Sequence, residues 1–580
     1  MAAEARSGGS PPVPEVPKQA FSLTLSSGAV FATSLIVQLV GFAGSVILYK
    51  YYALGDARTA LLGTAQFYLL IASSINGIGD LRIGTAYTYF LARGMPPRQT
   101  TATYLGLRVA MVGTIGIFLV VLAPLSLGFG AIAPPGMMFE TLALFLVLPI
   151  FWSISTVYNQ THIGTGNSLR AQYPSLIEAI ARVPAIYWVT FHDPTILTIA
   201  AAYAFGAGVA AVFSLPAIWP RLAGFRKAEA VRMFRFAWPL MASLMLNYIV
   251  TNTVPLLVKI GVSAAAFSWF LAANGWRVLV LSLPAAIATP LFPYLAGLHR
   301  QERWEEIRLG TWQALRYASM LLVPGVVALV VYRFNFLNNF ANQTYAVQGS
   351  TALAILAIGA LPLALSQIIQ SGINAIGRQR LELYITATQI LVLFGGIGLL
   401  MPPWGLFQIH PGIVAGSVAI LLSSVAALAL NTYFMESLIR VHIRPSSIAG
   451  ITVSAAGAFG ALVTLNRFHL FPVSSGLQLL AAVLIGFVVY FVILAAIGEL
   501  TRADVRRIGH SLGLPRAVIE AIARVPWRER SPDLAPLADL AAAPGLRSTE
   551  LPEPFTGIRE MPEVGDAPLP SEAPREPPAP

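Results

Sequence analysis

Long apolar runs alternate with short polar ones along the whole chain. A helix needs about 20 mainly apolar residues to cross a bilayer, and fourteen runs reach or approach that length. They lie near 25–49, 59–79, 99–126, 136–158, 172–191, 196–219, 234–258, 264–296, 312–332, 351–373, 383–401, 412–436, 446–465 and 476–498. None shows the period-two alternation of a membrane β-strand. A backbone in lipid must satisfy its own hydrogen bonds, so the pattern predicts an all-α polytopic membrane protein with about 14 transmembrane helices. The run at 264–296 is longer than a straight crossing, and Pro284 and Pro290 within it predict a tilt or kink.

Composition sharpens this reading. Of 580 residues, 56% are hydrophobic and 11% charged, and the mean hydropathy is +0.70. Soluble domains carry about 25% charged residues. A net charge of +11 would suggest nucleic acid in a soluble protein. Here the distribution of the charge removes that class of partner. One set of loops carries Arg6 and Lys18, Arg93 and Arg98, Arg170, Arg221, Arg226, Lys227, Arg232 and Arg235, Arg300, Arg303 and Arg308, Arg378 and Arg380, Arg440 and Arg444. The alternate set carries only Lys50, Arg58, Lys259, Arg333 and Arg467. The asymmetry predicts a cytoplasmic (inner) membrane protein with both termini in the cytoplasm, and hence an even number of spans. The absence of cysteine excludes disulfides, thiolate catalysis and Cys-bound metal. The first residues lack the basic region and apolar core of a cleavable signal.

A weak internal repeat organises the spans. "QTHIGTGNSLRAQYPSLIEAI" (160–180) and "QSGINAIGRQRLELYITATQI" (370–390) share a Gly–Arg signature after an apolar helix, and Lys50 and Lys259 end spans one and seven. The offset is roughly 210 residues, enough for six spans, which keeps both copies in one orientation about an axis along the membrane normal. The expected domains are a disordered cytoplasmic lead (1–22), a six-helix lobe (23–222), a second six-helix lobe (223–440) and two further helices (441–500). Beyond them come a basic amphipathic cytoplasmic segment (501–527) and a disordered Pro- and Ala-rich tail (528–580). The linker "HRQERWEEIRLGTWQALRY" (299–317) reads as an amphipathic helix lying at the headgroups.

Polar groups inside the apolar runs are the candidate site. Arg277 falls midway along its span, where an arginine costs a few kcal/mol even on lenient scales. Arg182 is also mid-span, and Glu178 four residues earlier offers it a local partner. Asp80 and Arg82 either pair with each other or mark a helix break between Gly79 and Gly84. Lys259 is close enough to the surface to snorkel. The amides Asn247, Asn252, Asn274, Gln367, Gln370 and Asn374 could each be a helix–helix hydrogen bond. Spans seven, eight and ten hold no Asp or Glu, however, so a cavity lined by them would be positive and amide-rich. It would suit an anionic headgroup with many hydroxyls better than a cation.

Signatures of an enzyme are missing. There is no P-loop, no paired carboxylates in an external loop, no nucleophile elbow and no His cluster with metal spacing. His162, His192, His410, His442 and His469 are scattered, and neither metal nor cofactor is expected.

The run from 234 to 298, "FRFAWPLMASLMLNYIVTNTVPLLVKIGVSAAAFSWFLAANGWRVLVLSLPAAIATPLFPYLAGL", continues through the linker to "QIIQSGINAIGRQRLELYITATQILV" (367–392). Together with weaker echoes at 52–70 and 77–94, it resembles the polysaccharide-flippase branch of the multidrug/oligosaccharidyl-lipid/polysaccharide exporter superfamily. The resemblance covers roughly 25–500. It implies fourteen helices in two lobes around a cavity open alternately to each side, and movement of glycans carried on polyprenyl (pyro)phosphate to the outer leaflet. Glycosyltransferases or a polymerase of the same pathway would be its partners, with membrane lipids around it. By position Arg277 is the basic residue that would attract the phosphate. One departure stands out: many relatives carry an Asp in the seventh span, where this chain has Thr251, Asn252 and Thr253. Two other activities stay open, export of small drugs as in multidrug and toxin extrusion relatives, and a membrane glycan polymerase or ligase. The scarcity of intramembrane carboxylates weighs against the first, and the lack of a sizeable external loop against the second.

Overall fold

Helix follows helix along the chain because each apolar run closes its own backbone hydrogen bonds. A computed structural model describes Gln19 to Leu500 except for the connections at 53–55, 93–94, 126–137, 166, 193–194, 223, 249–261, 402–406, 408, 410–411, 442–444, 469–472 and 474. The first half comprises α1 (Gln19–Tyr52), α2 (Asp56–Ile78), α3 (Ile83–Ala92), α4 (Pro97–Leu125), α5 (Met138–Gly164), the single turn α6 (Ser168–Ala171), α7 (Tyr173–His192) and α8 (Ile196–Ile218). The second half begins with α9 (Lys227–Tyr248), α10 (Ala264–Arg300) and α11 (Trp304–Val331). It continues with the short α12 (Arg333–Phe340), then α13 (Gln343–Ala375), α14 (Gln379–Leu400), α15 (Gly412–Ile439), α16 (Pro445–Arg467) and α17 (Gly476–Ile497). No strand occurs among the described residues.

Each predicted segment coincides, in whole or in part, with a helix of its own. Ten helices are long and apolar enough, among the described residues, to cross a membrane. The chain is thus an all-α, multi-pass membrane protein. Local chemistry sets the ends. Thr195 with Thr198, and Ser475 with Gln478, form capping boxes at the starts of α8 and α17. Gly377 and Gly498, at φ +80° and +83°, make the left-handed turns that follow α13 and α17.

Three details differ from expectation: the linker 299–317, the loop 332–350 and the start of α1. Over 299–317 there is no separate surface helix: α10 ends at Arg300, a turn follows with Glu302 at φ +56°, and α11 runs unbroken from Trp304 into its span. Glu305 and Glu306 in its first turn complement the helix dipole and pair with Arg308 and Arg303. The loop 332–350 contains α12, too short to register as a span. α1 begins at Gln19, inside the stretch assigned to the lead. Residues 1–18, 501–527 and 528–580 lie outside the described residues, as do Asn252, Lys259 and the side chain of Asn247.

The main core runs between α10 and α13, where Phe267, Phe270 and Ala273 pack with Tyr345, Leu353 and Leu356, all essentially buried. α13 packs in turn on α15, and α1 on α7. At one end of the bundle α2 meets α10 so closely that a Cβ added at Gly63 would sit 2.0 Å from the Ala264 carbonyl oxygen. Beside that contact Gln66 Nε2 donates to the Tyr49 hydroxyl at 2.9 Å, and the hydroxyls of Ser268 and Tyr345 share a hydrogen at 2.7 Å. Phe42 of α1 meets Trp276 of α10 at 4.3 Å between ring centroids, and Trp276 meets Phe336 of α12 at 4.6 Å. Among the described residues, α1, α2, α10 and α12 thus meet through aromatic and small residues at this end. α9, assigned by sequence to the second lobe, buries Met233 and Ala237 among Tyr87, Tyr104, Val157 and Ile218.

Candidate functional site

Arg277 and Asn274 sit one turn apart on α10, whose start is capped by Ser263 accepting from the Ala266 N–H. That spacing lets Arg277 Nη1 donate to Asn274 Oδ1 at 3.0 Å. Its Nε is buried with no hydrogen-bond partner among the described residues, and it makes no ion pair among them. An arginine in the apolar interior with only an amide to share its charge is an incomplete site.

Arg182 is solved differently. Its Nη1 donates to Glu178 Oε1 at 3.2 Å, the i,i+4 pair anticipated from sequence. Trp152 Nε1 donates to the same oxygen at 3.1 Å, and the guanidinium lies 4.9 Å from the centroid of the Tyr203 ring. Glycines make the room: a Cβ at Gly41 would meet Arg182 Nη2 at 3.1 Å, and one at Gly206 would meet Arg182 Cβ at 2.8 Å. The pair does more than neutralise itself, because both side chains line a cleft of about 400 Å³ between α1, α7 and α10. Gln38, Ser45 and Ser175 add polar atoms to its wall, and Phe42 and Leu279 add apolar ones. Of the residues predicted for the site, Arg182 is the one that lines this cleft among the described residues; Arg277 and Asn274 do not, although Gly275 and Val278 of the same helix do.

Asp80 and Arg82 mark a helix break, as one of the two sequence readings held. α2 stops at Ile78, and Leu81 and Arg82 take φ +42° and +58° before α3 begins. Non-glycine residues in that region cost about 1–3 kcal/mol each, so the surroundings must hold them there. Asp80 does so through Arg108 of α4 rather than through Arg82. Arg108 is 2% exposed, pairs with Asp80 Oδ1, and donates through Nη2 to Asn76 Oδ1 at 2.8 Å. The Tyr104 hydroxyl donates to Asp80 Oδ1 at 2.8 Å. Arg82 makes no ion pair among the described residues. Sequence reasoning passed over Arg108, although an arginine inside the predicted span 99–126, four residues after Tyr104, was a signal of the same kind as Arg277.

The amides of α13 divide. Gln367 is exposed and Gln370 half-buried. Asn374 Nδ2 donates to Glu382 Oε2 of α14 at 2.8 Å, bracing the turn at Gly377. Among the described residues no three His, Asp or Glu side chains are grouped to hold a metal ion.

Residues 110–348, about two fifths of the chain, match the family model for polysaccharide biosynthesis proteins. Comparison with curated protein sequences finds no match. Among solved structures, lipid II flippase MurJ in an inward closed conformation is similar with a TM-score of 0.65 and 12% identity, covering 81% of this chain and 98% of that one. An inward-facing multidrug resistance MATE family transporter of the MOP superfamily gives 0.56 at 14% identity, covering 70% and 94%. A MOP superfamily transporter from Pyrococcus furiosus gives 0.54 at 15% identity, covering 73% and 96%. Identities this low speak to fold. The protein thus has the fold shared by MurJ and the MATE transporters of the MOP superfamily, the superfamily its sequence resembles, and over 110–348 it carries the signature of the polysaccharide biosynthesis proteins.

Proposed function

We propose that the protein is a flippase that moves a lipid-linked oligosaccharide, a glycan on polyprenyl (pyro)phosphate, across the cytoplasmic membrane for surface polysaccharide assembly. It is a transporter and not an enzyme, with both termini in the cytoplasm. Two six-helix lobes, 23–222 and 223–440, rock about the bound headgroup while the lipid tail stays in the bilayer. Arg277 with Asn274 attracts the phosphate, and Asn247, Asn252, Arg82, Arg182, Gln367, Gln370 and Asn374 complete the polar lining. Glycosyltransferases or a polymerase of the same pathway supply and consume the substrate.

One observation carries the step from fold to glycan: the segment matching the polysaccharide biosynthesis family includes both Arg182 and Arg277. Replacement of Arg277 by Ala or Glu should abolish surface-glycan export at normal expression; intact export would remove the assigned role. The MATE likeness favours a second reading, export of small drugs. A deletion strain hypersensitive to drugs but normal in surface glycan would select it.

A further inference from the structure

The cleft between α1, α7 and α10 differs in charge from a phosphate site. We infer that it is a saccharide subsite, in which Glu178 and Arg182 read the hydroxyls of an uncharged sugar ring while the phosphate binds elsewhere. The inference rests on the glycan reading above and adds which part of the substrate this wall takes. Its volume of about 400 Å³ falls in the range of about 300–1,000 Å³ typical of small-ligand sites.

The chemistry of the wall decides between sugar and phosphate. Glu178 and Arg182 already neutralise each other at 3.2 Å. A phosphate seated on Arg182 would have to separate that pair and would then face the Glu178 carboxylate, a like charge in a poorly screened setting. A sugar hydroxyl meets neither penalty. It donates to the carboxylate, which only accepts, and accepts from the guanidinium, which only donates. Gln38, Ser45 and Ser175 on the same wall offer both donors and acceptors, matching the mixed character of a ring bearing several hydroxyls. Trp152 and Tyr203 hold the pair from behind, so its orientation is set before a ligand arrives. Gly275 faces the cleft with nothing within 4 Å of a built Cβ, which leaves the α10 side open.

The chain contains no cysteine, so Ser45→Cys places one thiol on this wall and Asn274→Cys one beside Arg277. In proteoliposomes, labelling of each thiol by a charged methanethiosulfonate is followed with two probes. One is the polyprenyl-linked glycan extracted from glycan-producing cells, the other bare undecaprenyl pyrophosphate. The glycan-bearing lipid should slow labelling at Ser45→Cys by about tenfold, and the bare lipid should not. Added to Ser45→Cys, Glu178→Gln should raise the glycan concentration needed for protection by about tenfold or more. Gly275→Leu should abolish protection by filling the cleft, since its Cβ meets no neighbour within 4 Å, and so covers the case in which Glu178→Gln misfolds. Equal protection of Ser45→Cys by both lipids would overturn the inference in favour of a phosphate site. Protection at Asn274→Cys with none at Ser45→Cys would overturn it while leaving the flippase reading intact. Protection at neither position would overturn the inference, and intact surface-glycan export by Arg277→Ala would separately overturn the flippase reading.

Discussion

Arg182 and Arg277 both stand near the middle of apolar helices, but the fold treats them differently. Around Arg182, α7 supplies Glu178, α5 supplies Trp152 and α8 supplies Tyr203, while glycines on α1 and α8 make space. Around Arg277 there is Asn274 and a buried Nε with no acceptor among the described residues. Arg108 is a third case, nearly inaccessible and held by Asp80 and Asn76 at a helix break. The difference teaches that a buried cation is functional information only after its partners are counted. Arg108 and Arg182 each have a carboxylate partner, although the Arg108 Nε is also buried without an acceptor among the described residues, whereas Arg277 has no carboxylate among them.

This contrast can be broken experimentally. The largest effect should come from Arg277→Met, which should abolish glycan export yet raise stability by about 1–3 kcal/mol, because it removes a poorly compensated charge from the apolar interior. Surface-glycan assay and thermal unfolding in detergent check the two signs, and a loss of stability would show that Arg277 has a partner after all. Next, Asp80→Ala should destabilise by about 3–5 kcal/mol, since it strands the buried Arg108. Thermal unfolding measures it, and Asp80→Ala with Arg108→Met should recover much of the loss. Glu178→Ala should cost less, about 2–3 kcal/mol, because the pair borders a cleft and retains some access to water. A double-mutant cycle with Arg182→Met measures that coupling. At the bottom of the scale, Glu306→Gln should change stability by under about 0.5 kcal/mol, its bridge to Arg303 being largely exposed.

Hydropathy made the helices legible because lipid imposes one rule on every span. Elements that escape the rule were invisible: α12 is eight residues long, and α3 has ten. The break at 79–82 was readable from Gly79, Asp80 and Gly84, but not the reach of Asp80 to Arg108, 28 positions away on another helix. The i,i+4 pairing of Glu178 and Arg182 was legible because both lie on one helix face. That the pair borders a cleft with Gln38 and Gly275 was not, since those residues come from α1 and α10. The bond from Asn374, one of the site amides named from sequence, to Glu382 across the turn was likewise not legible, since the two residues belong to different helices.

The sequence by itself determined the class of the protein, its helices and the resemblance of its membrane portion to polysaccharide flippases, because apolar length and local spacing are written along one chain. Tertiary structure alone decided which arginines are neutralised, that Glu178 and Arg182 open onto a cleft, and that α2 packs on α10 with Gly63 against Ala264. Those outcomes depend on which side chains meet across helices, at distances of a few ångströms, where charge compensation and steric contact operate.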